Sequence, residues 1–163
     1  MIRTAFIKTT LMRTLLGLTL AGTASLALAQ TVVTDPWARA TVPGQPATGA
    51  FMTLTAETDS TLVAVASPVA KLAQVHQSSI DNDVMSMHQV QRVALPAGKP
   101  VVFDPSGYHV MLMQLTGQVK EGDVVPLTLT IEDAKGGTQT LEVNAPVRAL
   151  NGMTHEHGHG MKH

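Results

Sequence analysis

Short runs of alternating or β-branched residues, separated by clusters of turn-forming residues, recur along most of this chain. No window shows the sustained apolar period of a helix, although residues 69–75 could hold one helical turn. Strands have a side-chain period of two and are typically four to eight residues long. The pattern therefore predicts an all-β domain, an antiparallel Greek-key sandwich or barrel. The predicted strands are residues 30–34, 50–56, 61–67, 73–78, 84–90, 99–103, 108–115, 124–132 and 138–144.

The segments between these runs are rich in Pro, Gly, Asp and Asn, which are typical of the turns that close hairpins. They include VPGQPATG (42–49), SSIDND (78–83) and DPSG (104–107). Residues 124–144 are interpreted as a hairpin closed by AKGG.

The first 29 residues are interpreted as a secretory signal peptide. They combine a basic start, an apolar middle and the ending Ala27-Leu28-Ala29. The apolar part is too short for a membrane span, and no second candidate follows it, so no membrane insertion is expected after cleavage. The predicted organisation is a signal peptide at 1–29, a β-domain at 30–150 and a flexible tail at 151–163. The exported protein is predicted to be periplasmic.

The charge of the exported part argues against nucleic acid and anionic membranes as partners. Cleavage after residue 29 leaves eight of the 11 basic residues against 12 acidic residues, a net charge of −4 with neutral histidines. Polyanions attract basic surfaces, and none is evident here.

The chain contains no cysteine but nine methionines and seven histidines. The absence of cysteine excludes thiolate zinc sites, iron–sulfur clusters and blue-copper centres. Any metal must therefore be bound by His, Met, carboxylate or backbone groups.

Histidine and methionine gather in three predicted strands. In YHVMLM, His109, Met111 and Met113 share one face, with Val110 and Leu112 on the other. The other candidate residues are His76, which lies in AQVHQSS, and Met85 and Met87, which share a face in VMSMHQV while His88 points away from it.

Imidazoles and thioethers form a soft, neutral ligand set that favours Cu(I) over magnesium, calcium or zinc. A methionine in an apolar strand is nevertheless most often a core residue. Met52, Met85 and Met113 are predicted to be core residues, with a position beside the metal ligands as the alternative.

The spacing His76-x10-Met87-x21-His109-x-Met111 matches the H-x10-M-x21-H-x-M signature of the periplasmic copper chaperones called PCu(A)C. WARAT, GAFMTLT, LPAGKPVVF, GYHVMLMQL and EGDVVPLTLTI also resemble that family, so the resemblance spans residues 33–145. One difference lies directly after the first histidine, where family members often carry an acid followed by Met or Thr and this chain has Gln77 and Ser78.

The resemblance implies a cupredoxin-like Greek-key β-fold that binds one Cu(I) through His76, Met87, His109 and Met111. It implies delivery of copper toward the copper centres of cytochrome c oxidase, with a Sco-type thioredoxin-like protein as a second partner.

The tail is a second, weaker metal candidate. Its His and Met residues resemble the extensions that some family members use for Cu(II) capture, and the alternative is a low-complexity end with incidental metal affinity. The candidate ligands are Met153, His155, His157, His159, Met161 and His163.

No catalytic motif is present in the sequence, so an enzyme is not expected. The alternatives left open are a copper scavenging or storage protein without a dedicated acceptor and an electron-transfer cupredoxin. The missing cysteine argues against the second alternative.

Overall fold

The computed structural model describes residues 30–149, which form ten β-strands and no helix. The predicted signal and the predicted tail both lie entirely outside the described residues. The strands are β1 Thr31–Arg39, β2 Ala47–Ala56, β3 Ser60–Ala66, β4 Ala70–Asp81, β5 Val84–Val90, β6 Val93–Leu95, β7 Pro100–Phe103, β8 Tyr108–Leu115, β9 Val124–Asp133 and β10 Thr138–Arg148. No helix that could cross a membrane occurs within residues 30–149.

All nine predicted strands are present, and β6 was missed. Its three residues are too few for an alternating pattern to be read. The helical turn considered at residues 69–75 is wrong, because β4 begins at Ala70 and pairs with β8 from that residue onward.

The strands form one continuous sheet in the order β5-β4-β8-β7-β2-β1-β10-β9-β3-β6. Most neighbours are antiparallel, but β1 pairs with β10 and β7 with β8 in parallel. The sheet therefore differs in these two pairings from the purely antiparallel arrangement that the sequence predicted. The short parallel pairing of Ala38 with Val147 joins the half of the sheet that carries β8 to the half that carries β9.

The core lies between these two halves. Leu54 and Leu112 from one half and Leu62, Leu127 and Leu129 from the other are fully buried in a single apolar cluster. Val110 and Leu112 face this core. The alternate residues of β8, beginning with His109, must therefore lie on the outer face of the sheet.

The β4–β5 hairpin is longer than the sequence suggested. Only Asn82 and Asp83 form the turn, and both have positive φ values (48° and 61°), as a two-residue type I′ turn requires. Asp and Asn tolerate this conformation better than most residues. The predicted break at 78–83 is thus too wide, and so is that at 42–49, because β2 begins at Ala47.

The three predicted core methionines have different fates. Met52 is buried in the core, as predicted. The predictions for Met85 and Met113 are wrong: Met85 is 65% exposed on the edge strand β5, and Met113 is half-buried outside the core cluster. The reason is the same for both, since each lies on the outer face, where no second layer of the sheet covers it.

Candidate metal centre

The register of β4 and β8 brings the two candidate histidines together. His76 is the cross-strand partner of His109 in the antiparallel ladder, so both side chains lie on the outer face. Their ring centroids are 6.1 Å apart, with planes inclined at 56°. One ion between these rings would be within the reach of both.

The two candidate methionines flank this histidine pair on the same face. Met111 follows His109 by two residues, and Met87 is paired with Ser78, two residues beyond His76. Met87, Met111 and His109 line a single cavity of about 210 Å³. The fold therefore gathers the four residues of the spacing signature on three adjacent strands.

His109 is held in one tautomer. Its Nδ1 lies 3.1 Å from the carbonyl oxygen of Gly107, and a carbonyl can only accept, so Nδ1 carries the proton in this hydrogen bond. The lone pair is then on Nε2. This atom is buried and has no hydrogen-bond partner among the residues that the structure describes. A buried nitrogen of this kind is a ready metal ligand.

The loop 104–107 supports this arrangement. Asp104 Oδ1 accepts hydrogen bonds from the backbone amides of Ser106 and Gly107, each 2.8 Å long. The Ser106 hydroxyl lowers the pKa of Asp104 most, and the two amides and nearby His109 lower it further against the opposing effect of burial. The carboxylate therefore stays ionised and fixes the loop whose carbonyl orients His109.

Ser78 ties the same loop to β4. Its backbone amide donates to the Gly107 carbonyl (3.0 Å), and its hydroxyl donates to the Pro105 carbonyl (3.3 Å). The sequence predicted only a turn at DPSG, and Ser78 was noted only as a difference from the family. The available signal was the Asp-x-Ser-Gly pattern directly before a candidate histidine.

His76 is half-buried, and its Nε2 lies 3.2 Å from Gln74 Oε1. Burial lowers the pKa of His76 most, and nearby His109 and then His88 lower it further. Protonation of His76 is thus disfavoured at neutral pH, and the ring is available as a neutral nitrogen ligand. His88 itself is exposed and lies on the opposite face, as predicted.

Aromatic side chains extend the site along the outer face. The ring of Phe51 lies 6.5 Å from His109 and 4.4 Å from Trp37. Gly49, opposite Met111, leaves room for this ring, since a Cβ there would come within 2.8 Å of Phe51 Cζ. Phe51 and Trp37 were quoted only as part of family-like segments, with no role assigned.

The donor set suits a soft cation. Within residues 30–149, no group of three or more His, Cys, Asp or Glu side chains is arranged to bind a metal. Two imidazoles and two thioethers are instead the ligand types preferred by Cu(I). The residues present therefore fit a reduced copper ion. The six candidate ligands of the tail lie outside the described residues.

Comparison with known proteins places this arrangement in a class. The copper-bound PCuAC domain from PmoF2 matches with a TM-score of 0.57 and 24% identity, over 76% of this chain and 96% of that domain. The solution structure of CuI-DR1885 from Deinococcus radiodurans matches with a TM-score of 0.53 and 30% identity, over 78% of this chain and 83% of that one. The fold is thus that of the cupredoxin-like PCuAC domains, as predicted.

The family assignment follows from the sequence match. Residues 31–147 match the family described as LpqE-like, putative lipoprotein LpqE-like. The putative lipoprotein Lxx21020 of Leifsonia xyli is 27% identical over 121 residues, which are 74% of this chain and 70% of that protein. The chain belongs to this LpqE-like family, which is of the PCuAC type.

Proposed function

We propose that this protein is a periplasmic copper chaperone that binds one Cu(I) ion through His76, Met87, His109 and Met111. The observation that supports the proposal is the position of these four residues on one sheet face, with Met87, His109 and Met111 lining one cavity and His76 directly opposite His109. Relatives named as copper-bound and as the CuI form of a PCuAC-type protein support it.

The exposure of the ligands suggests how copper is handed over. His109 is 3% exposed, whereas Met87 is 51% exposed on the edge strand β5. An incoming protein can replace the Met87 thioether first, while His109 keeps its hydrogen-bonded position. Copper then passes by stepwise ligand exchange, and no large part of the fold has to open.

The receiving site is proposed to be a copper centre of cytochrome c oxidase, with a Sco-type thioredoxin-like protein acting beside it. Both proteins act outside the cytoplasm, which agrees with a signal peptide at 1–29. The lipoprotein named among the relatives is consistent with an exported family.

A storage or scavenging role is separated from delivery by a transfer assay. The Cu(I)-loaded protein is mixed with an apo Cu(A) domain, and the copper content of each protein is measured over time after the two are separated. Transfer faster than release to a chelator of equal affinity supports delivery. Equal rates favour storage.

The ligand assignment is tested by an alanine series at His76, Met87, His109 and Met111, with Cu(I) affinity measured by chelator competition. Each substitution should weaken binding by more than about tenfold, because even changes behind a ligand cost 10–100-fold. Met85→Ala is the matched control, since Met85 shares the strand and face of Met87 but lies farther from His109. Unchanged affinity in any two of the four variants would overturn the assignment.

A further inference from the structure

The cavity beside the copper ligands has a second wall that the proposed ligands do not use. Met87, His109 and Met111 form one part of its lining, and Arg39, Gln45 and Thr48 contribute polar groups to the rest. Its volume of about 210 Å³ exceeds what one copper ion needs. The cavity can therefore hold a second small species next to the metal.

Arg39 brings a permanent positive charge into this cavity. Its guanidinium lies over the Phe51 ring, 5.6 Å from the centroid. The side chain is half-buried and has no carboxylate partner among the residues that the structure describes, where the ion pairs are Arg92–Glu132 and Arg148–Asp35. A guanidinium carries five N–H donors and a positive charge, so this side chain is able to bind an anion.

The neighbouring polar groups do not balance this charge. The Thr48 hydroxyl donates to the Arg39 carbonyl (2.7 Å), and the Gln45 amide donates to the Ala47 carbonyl (2.7 Å). No Asp or Glu side chain lines the cavity in the described part of the chain. The ionised Asp104 lies near His109 but is not part of the cavity lining, and its Oδ1 accepts the hydrogen bonds of the 104–107 loop.

Copper binding makes the imbalance larger. Histidine nitrogens and methionine sulfurs are neutral, so they leave the full charge of the ion uncompensated beside Arg39. Like charges in a partly buried site repel more strongly than in water. A negative charge between them would relieve the repulsion on both sides.

We propose that this cavity binds one small monovalent anion, such as chloride, together with copper, and that Arg39 is its counter-ion. The inference rests on the proposed function, because copper supplies the second positive charge. Arg39 then acts as a positioning residue for the anion and makes copper uptake depend on the anion present.

The test is chelator competition for Cu(I) at constant ionic strength, with chloride replacing a bulky, weakly coordinating anion. Competition reports protein affinity relative to the chelator, so solution complexes of Cu(I) with chloride cancel. The affinity of the unmodified protein should rise about tenfold as chloride approaches ten times its own dissociation constant. Arg39→Gln should lose this dependence, and Arg39→Lys should retain part of it.

Arg148→Gln is the matched control, because Arg148 also lies over an aromatic ring, Trp37 at 5.3 Å, but is paired with Asp35. It should keep the full chloride dependence. A second readout uses bromide, which should appear as a bromine neighbour of copper in X-ray absorption of the unmodified protein and not of Arg39→Gln.

Tight Cu(I) binding that is independent of chloride in the unmodified protein would overturn the anion proposal and leave the copper proposal intact. A chloride effect that persists in Arg39→Gln would also overturn it. Absence of any tight Cu(I) site would instead refute the proposed function. The chloride series needs no variant to fold, so the proposal stays testable even if Arg39→Gln is unstable.

Discussion

The imidazole of His109 shows how single residues set this site. Its Nδ1 proton is used on the Gly107 carbonyl, which leaves the buried Nε2 free for a metal. Asp104 and Ser78 do not reach the metal in this account. They hold the loop 104–107, and the Gly107 carbonyl of this loop holds the His109 ring. A hydrogen bond to the second nitrogen of a ligating imidazole orients the ring and raises its basicity.

Asp104→Ala should therefore weaken Cu(I) binding by about tenfold without removing any ligand. The loop would lose the acceptor of two amides, and the Gly107 carbonyl would no longer hold the ring. Chelator competition measures the change. Asp133→Ala is the control, since Asp133 Oδ1 caps a similar turn through Lys135 and Gly137 in the distant β9–β10 hairpin. Equal affinities in the two variants would contradict this role of Asp104.

The pKa of His76 gives a second test at the level of a single residue. Because the folded pKa is lowered from 6.5, the unfolded chain takes up this proton first as pH falls. The contribution of His76 to the stability of the metal-free protein is therefore present above pH 6.5 and lost as pH falls toward the folded pKa. An NMR titration of its ring should give a midpoint below 6.5, which rises partway in His109→Ala. A midpoint at or above 6.5 would refute the effect of burial.

At the scale of strands, the site depends on register. A shift of one residue between β4 and β8 would turn His76 toward the core and separate it from His109. The buried Val110 and Leu112 on β8 and the buried Val75, which pairs with Val110, hold this alignment, because they define the apolar face of both strands. The tight turn at Asn82–Asp83 fixes the register of β5 against β4. On β2, which also pairs with β8, Gly49 leaves the space that the Phe51 ring occupies beside His109.

Gly49→Ala should lower the free energy of unfolding by about 1–3 kcal/mol, as overpacking does, and should also weaken Cu(I) binding. The added Cβ meets the buried ring of Phe51, which Trp37 and Arg39 also contact. Denaturant unfolding and chelator competition measure the two effects. Gly117→Ala is the control, because a Cβ there has no atom within 4 Å, and its stability should change by less than about 0.5 kcal/mol. Similar losses in both variants would contradict the packing argument.

For the whole molecule, the sequence predicted the all-β class and nine strands, because alternation in runs such as β8 reports directly on burial. It also selected four residues that the fold gathers on one face, through a spacing that local propensity cannot explain. It did not predict the parallel β1–β10 pairing or the exposure of Met85, since both depend on which strands become neighbours. The role of the loop 104–107 in orienting His109 was missed for a similar reason, because Ser78, which ties this loop down, lies on β4.

Copper binding by the folded domain should not depend on the histidine-rich end of the chain. All four proposed ligands lie in β4, β5 and β8, within one continuous sheet. Deletion of residues 151–163 should therefore leave one tight Cu(I) equivalent by chelator competition and remove only weaker metal binding. Loss of the tight equivalent would favour a scavenging tail on a structural β-domain.

X-ray absorption at the copper edge of the Cu(I)-loaded protein, with residues 151–163 deleted, measures the neighbours of the metal directly. In a halide-free buffer, two sulfur and two nitrogen neighbours are the predicted result, with one sulfur lost in Met87→Ala and in Met111→Ala. A copper ion surrounded only by nitrogen and oxygen would contradict the account.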